Sequence, residues 1–262
     1  MRCRVEYVGA RYAGFQRQPN QMTVQGVLEA AISEVTQEPV PVTGAGRTDA
    51  GAHAVGQVIA FQTSSVLSAE TLERAINAHL PMDVAVVSAE EVDEDFHPRF
   101  DASSRVYRYL ICNGPTRSPL YEGRATHVSR PLDLTAMQAA GDLLLGCHDF
   151  SAFSSTSVEG SRQREMFAVD IHRDGNVVSI DLEASGFLQQ MARSIAGTLI
   201  RVGEGKMTPQ EFAAVLASGD RHQAADTAPA CGLYLIRVKY DSDMTVDTAG
   251  DSLGGARAQE EK

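Results

Sequence analysis

The sequence predicts an α+β protein, a mixed and largely antiparallel sheet flanked by helices. Three observations carry that expectation. Segments with period-two alternation and segments with helical periodicity are interspersed, without the strict strand–helix alternation of a doubly wound fold. Asp174-Gly175-Asn176 lies between two strand-like runs and reads as a hairpin turn, which joins antiparallel neighbours. The composition, 43% hydrophobic and 22% charged over 262 residues, is that of a chain able to bury a sizeable core.

Residues 2–8 alternate apolar and polar side chains and read as the first strand. A signal peptide would show a continuous apolar stretch there, so the chain is expected to stay in the cytoplasm. Thr23 can cap a helix over 24–36, with Val24, Val27, Leu28, Ala31, Ile32 and Val35 on one face. A glycine-rich loop follows, then a strand over 54–63. Ser68 can cap a second helix containing Leu72, Ala75 and Ile76, and residues 84–92 and 104–112 read as strands. Beyond the prolines at 115, 119 and 131, a Leu- and Ala-rich helix is expected over about 133–145. Met166–His172 and Val177–Ala184 form the hairpin arms, and Phe187–Val202 reads as a long apolar helix. Thr208-Pro209 starts another helix, with Thr as cap and Pro at the first helical position, and Gly232–Tyr240 closes the chain as a strand. Residues 241–262 lack periodicity and are acidic and Gly-rich, as a disordered tail would be.

The domain expectation is an N-terminal part, 1–103, carrying the glycine-rich loop, and a C-terminal part, 104–240. Their element orders are loosely similar, with no repeat in the sequence itself. The longest apolar runs, such as Val84-Ala85-Val86-Val87, are far too short to span a bilayer, so no membrane association is expected. The four cysteines are dispersed and the histidines form no helical pair, so no metal is expected. The net charge of −11 argues against a generally basic, nucleic-acid-binding surface. Residues 241–262 hold six acids against Arg257 and Lys262 and so carry −4 of it. Phosphate binding needs a local positive patch only, and 20 of the 23 basic residues are Arg, suited to bidentate phosphate contacts.

The densest chemical signal is Gly44-Ala45-Gly46-Arg47-Thr48-Asp49-Ala50-Gly51-Ala52-His53. Glycines let a ligand approach the backbone closely, so Asp49 sits in a sterically open loop as a candidate nucleophile or general base. Arg47 can hold a phosphate or pair with the acid. The plainer reading is an Asx-turn beside a surface Arg. Tyr107 lies between Arg105 and Arg108 on a strand: either a core aromatic, or a stacking surface for a base beside basic groups. Arg193, inside the apolar helix, needs a carboxylate partner if buried, and otherwise is a surface charge. Gln189, Gln190 and Gly197 are expected on its helical face.

The run Gly44–Val58 closely resembles the active-site motif of the tRNA pseudouridine synthase A family. Further matches are Glu6-Tyr7 through Gln18, Thr23-Val24-Gln25-Gly26, Phe96-His97-Pro98-Arg99-Phe100, Tyr107-Arg108-Tyr109, Gly146 to Phe153, and Thr227 to Leu235, leaving only 241–262 uncovered. The resemblance implies the pseudouridine synthase fold, two similar α/β subdomains with a central RNA-binding cleft. It implies isomerisation of uridine to pseudouridine at positions 38, 39 and 40 of the tRNA anticodon stem-loop, without cofactor or metal. It makes Asp49 the nucleophile, attacking ribose C1′ or the uracil ring. Tyr107 stacks under the flipped base and helps remove the C5 proton, and Arg193 pairs with Asp49. The substrate-binding set implied is Arg47, Tyr107, Arg105, Arg108 and Gln57. The partners implied are tRNA and a second copy of the chain in a homodimer. The sequence departs from the family around Arg193, with Gln190 for His, Ala192 for Val and Ser194 for Asn; Ala225-Asp226 replaces a usual glycine. Two other readings stand beside the isomerase. A non-catalytic RNA-binding relative would lack Asp49, Tyr107 or Arg193, and a carboxylate hydrolase would need a second acid near Asp49.

Overall fold

Strand β1 (Arg2–Tyr7) buries Cys3, Val5 and Tyr7 and exposes Arg4 and Glu6, the alternation of a sheet with one covered and one solvated face. The computed structural model describes residues 1–155 and 160–241. The remaining strands are β2 (Thr43–Gly44), β3 (His53–Ala60), β4 (Val84–Glu90), β5 (Ala102–Asn113), β6 (Thr126–Val128), β7 (Gly146–Asp149), β8 (Gln163–Asp174), β9 (Val177–Ala184) and β10 (Leu233–Tyr240). They form a 10-stranded sheet of order β4-β1-β3-β10-β5-β9-β8-β7, with β2 added on β3 and β6 on β5. All pairs are antiparallel except β3 with β10 and β5 with β6. The last strand, β10, lies between β3, to which it is parallel, and β5, to which it is antiparallel.

Five α-helices are described: α1 (Val24–Thr36), α2 (Ala69–His79), α3 (Leu134–Gly141), α4 (Met191–Gly203) and α5 (Pro209–Ser218). Their starts follow the expected caps. Thr23 Oγ1 accepts from the Gly26 amide at 3.2 Å, and Ser68 Oγ from the Thr71 amide at 3.3 Å. Thr208 and Glu211 form a reciprocal capping box ahead of α5. Helix α2 packs on β4, and α4 on β5. One continuous core joins Leu28, Ile32 and Ile76 to Ile195, Leu199 and Phe212.

The helix expected over 187–202 begins instead at Met191. Gln190 takes a left-handed φ of 64°, which ends helical propagation upstream. The apolar Phe187 is spent on a tertiary contact, its ring edge-on to Tyr107 at 4.8 Å, and the Gln189 carbonyl accepts from the Ser155 amide at 3.1 Å. Gln189 and Gln190 therefore share no helical face with Arg193. The helix expected to reach 145 stops at Gly141 and continues as a 3-10 turn, Asp142–Leu144. The short strands β2, β6 and β7 add to the expected set, being too brief for periodicity to register. The division expected at 103/104 falls inside β5. The expected tail lies outside the described residues apart from Asp241.

Candidate active site

The loop 45–52, between β2 and β3, is held from several sides. The Thr48 hydroxyl meets the Tyr7 hydroxyl at 2.7 Å, and the Thr48 carbonyl accepts from the Phe15 amide at 3.1 Å. Gln57 Nε2 donates to the Gly46 carbonyl at 2.9 Å, and the Gly51 amide to the Tyr12 carbonyl at 3.3 Å. The Ala52 amide turns back onto the Asp49 carbonyl at 3.1 Å. Burial pushes the Tyr7 hydroxyl up to about 12, so this support is a neutral hydrogen bond at any working pH. Gly14, at φ 101°, is where the neighbouring segment crosses the loop: a Cβ there would sit 2.9 Å from the Thr48 carbonyl oxygen.

Asp49 Oδ2 accepts from Arg193 Nη1 at 2.5 Å, across 144 residues of sequence. The Arg193 side chain is 15% exposed and that of Asp49 28%, so the pair sits half out of water. Arg193 Nε donates to the Ala228 carbonyl at 2.7 Å, which fixes the guanidinium before it reaches the acid. This works because α4 approaches the 226–228 segment closely at Gly197, where a Cβ would lie 2.2 Å from the Asp226 carbonyl oxygen. The other carboxylate oxygen, Oδ1, has no hydrogen-bond partner among the described residues.

Tyr107 lies on β5 with its hydroxyl toward Gly46 and its ring against Phe187. Burial holds this phenol well above its ordinary range, with Tyr7 and Asp49 adding to the rise against Arg105. Asp49, Arg193, Tyr107 and Phe187 line a cleft of about 820 Å³. Five arginines line it, Arg47, Arg99, Arg105, Arg164 and Arg193, and Asp49 is its sole acid among the described residues. The cleft is thus locally positive although the chain as a whole is acidic. Burial lowers Arg105 and, with neighbouring Arg99, Arg164 from the usual guanidinium range.

Of the residues singled out from the sequence, Asp49, Arg47, Tyr107, Arg105 and Arg193 meet in this cleft. Arg47 is exposed and has no hydrogen bond or ion pair to the described residues. Arg105 is different: its guanidinium donates to the Ala102, Ser185, Ala45 and Arg99 carbonyls, stitching the cleft walls together. Arg108 and Gln57 do not reach the cleft. Strand alternation turns Arg108 to the opposite face of β5, where it forms a forked pair with Asp181 at 2.7 Å on both arms. Gln57 is fully buried behind the loop it supports. His53 is buried as well: its Nδ1 accepts from the Gly9 amide at 3.0 Å and its Nε2 donates to the Cys231 carbonyl at 3.2 Å, so it is neutral, with burial lowering its pKa. Sequence reasoning missed Arg99, Arg164, His97 and Phe100 as lining residues. The first, third and fourth stood in a quoted motif, but Arg164 on β8 gave no local signal. No three His, Cys, Asp or Glu side chains gather as a metal site among the described residues, and no described helix is long and apolar enough to cross a membrane.

A family model described as tRNA pseudouridine synthase matches residues 4–101 and 140–241. The tRNA pseudouridine synthase A of Geotalea uraniireducens is 44% identical over 237 residues, 90% of this chain and 97% of that protein. Its counterpart in Brevibacillus brevis is 44% identical over 242 residues, 92% of this chain and 99% of that one. A Roseiflexus protein of the same name is 46% identical over 246 residues, 92% and 91% of the two chains.

Proposed function

The chain belongs to the tRNA pseudouridine synthase family, and we propose that it converts uridine to pseudouridine at positions 38, 39 and 40 of the tRNA anticodon stem-loop, with Asp49 as nucleophile. The observation that carries the reading is Asp49 itself: the sole acid among the described lining residues of an arginine-lined cleft, clamped through Oδ2 and open at Oδ1.

The isomerisation breaks the bond from C1′ to N1 and makes one from C1′ to C5. N1 gains a hydrogen as C5 loses one, so the reaction balances within the nucleotide. A base in a stem must first leave the stack. Tyr107 then offers its ring beneath the extruded uracil, and the cleft arginines, Arg47 foremost, hold the flanking phosphates. Arg193 positions Asp49 so that Oδ1 is the attacking atom, at ribose C1′ or at the uracil ring. Arg105 and Gln57 act by keeping the walls and the loop in place. The halves 1–103 and 104–240 close on the cleft from its two sides. The same reading makes the enzyme a cytoplasmic homodimer that holds tRNA.

A hydrolase working through paired carboxylates needs a second acid beside Asp49, and the described lining residues supply none. A binding-only relative has no use for the Asp49–Arg193 clamp. Carbodiimide labelling and primer extension on an unmodified tRNA pool test the assignment. Enzyme-dependent stops at 38–40 are expected; stops confined to other positions would overturn the site, and none at all the activity.

A further inference from the structure

At the rim of the cleft the chain makes a tight turn over residues 97–101. The His97 amide donates to Asp101 Oδ2 at 2.8 Å, and the Asp101 amide returns to the His97 carbonyl at 3.1 Å. His97 Nδ1 accepts from the amides of Arg99 and Phe100, at 3.1 and 3.3 Å. The outer anchors are equally firm: the Tyr240 hydroxyl donates to the Pro98 carbonyl at 2.7 Å, and Arg105 Nη2 to the Arg99 carbonyl at 2.5 Å. The turn's polar groups are thus bonded inward, yet the Phe100 side chain is left 73% exposed.

A lone exposed apolar side chain is ordinary. This one is set among groups with a shared chemistry. The His97 ring lies 4.2 Å from the Phe100 ring, the Arg99 guanidinium 5.6 Å from its centroid, and all three residues line the same cleft as Asp49. An aromatic face beside a cation, in a groove lined with arginine, suits an unpaired nucleobase whose phosphates are already held.

We propose that Phe100, with His97 and Arg99, is a stacking platform for an unstacked base of the RNA strand next to the target uridine. This rests on the isomerase reading of the same cleft and extends it: Tyr107 receives the reacting base, and Phe100 a neighbour. The platform draws on π-faces and charge only, so it tolerates any base.

The chain has no tryptophan, so Phe100→Trp introduces a single fluorophore on the platform. With unmodified tRNA transcript, the emission of this variant is expected to be quenched on binding, with affinity near wild type. Phe100→Leu keeps an apolar side chain without the ring, and is expected to weaken binding and raise KM about tenfold while kcat stays within about twofold. Unchanged Trp emission at saturating tRNA, or wild-type binding by the Leu variant, would overturn the proposal. Emission that follows protein concentration and ignores RNA would instead give this surface to a second copy of the chain. The emission experiment reads binding alone, so it decides the platform separately from the carbodiimide labelling that decides the isomerisation.

Discussion

Replacing Arg193 with Met removes the guanidinium that clamps Asp49 while keeping a long, helix-compatible side chain in the first turn of α4. An exposed ion pair contributes about 0–1 kcal/mol, whereas a hydrogen bond to a charged group contributes about 1.5–3 kcal/mol. The Asp49–Arg193 pair, at 2.5 Å with side chains only 15% and 28% exposed, belongs to the second regime, and we expect a coupling of about 2 kcal/mol. A double-mutant cycle with Asp49→Asn, Arg193→Met and the pair together isolates it by urea unfolding. Loss of the bond from Arg193 to the Ala228 carbonyl occurs in both backgrounds and cancels. If the same interaction orients the nucleophile, single-turnover tritium release by Arg193→Met falls about 30-fold, the kinetic equivalent of 2 kcal/mol, with tRNA affinity little changed. A coupling below about 0.3 kcal/mol, within the error of additivity, together with an undiminished rate, would refute the positioning argument.

Three further outcomes are expected. Arg47→Ala, which removes an exposed cation with no hydrogen bond or ion pair to the described residues, should weaken tRNA binding and reduce the slope of log affinity against log salt by about one; an unchanged slope would take Arg47 off the phosphates. Gly14→Ala places a Cβ 2.9 Å from the Thr48 carbonyl at a left-handed φ of 101°, so a loss of about 1–3 kcal/mol in urea unfolding should accompany reduced activity as the Asp49 loop shifts. Burial depresses His53 below its ordinary 6.5, so the unfolded chain takes the proton more readily. The stability from His53 is then fully present above pH about 6.5 and lost as pH falls through its folded-state value, which NMR titration of its ring should place below 6.5.

Much of the architecture was legible because local rules and tertiary packing agree. Thr23, Ser68 and Thr208-Pro209 announced three helix starts that the fold uses, and the Val177–Ala184 arm alternates in burial along its length. The break came where they disagree: Phe187 and Leu188 read as helix by hydrophobicity, but the cleft takes Phe187 as a wall for Tyr107 and sets Gln190 left-handed. The Asp49 loop stood out through its glycines, and the resemblance supplied its partner 144 residues away. Period-two alternation already separates Arg108 from Arg105 and Tyr107, but spacing could not have told which face meets the cleft or that Asp181 waits on the other. Nor could it have shown Arg164 joining the cleft from β8, because only the sheet order brings that strand there.

Tritium release from unmodified tRNA carrying 5-tritiated uridine, comparing the wild type with Asp49→Asn, reads the role of Asp49 directly. Making the C1′–C5 bond displaces the C5 hydrogen, so release reports the chemistry itself. We expect release by the wild type and none above background from the variant, whose fold and tRNA affinity are retained. Release by Asp49→Asn at the wild-type rate would contradict the role of Asp49, and a wild type that binds tRNA without releasing tritium would contradict the isomerase.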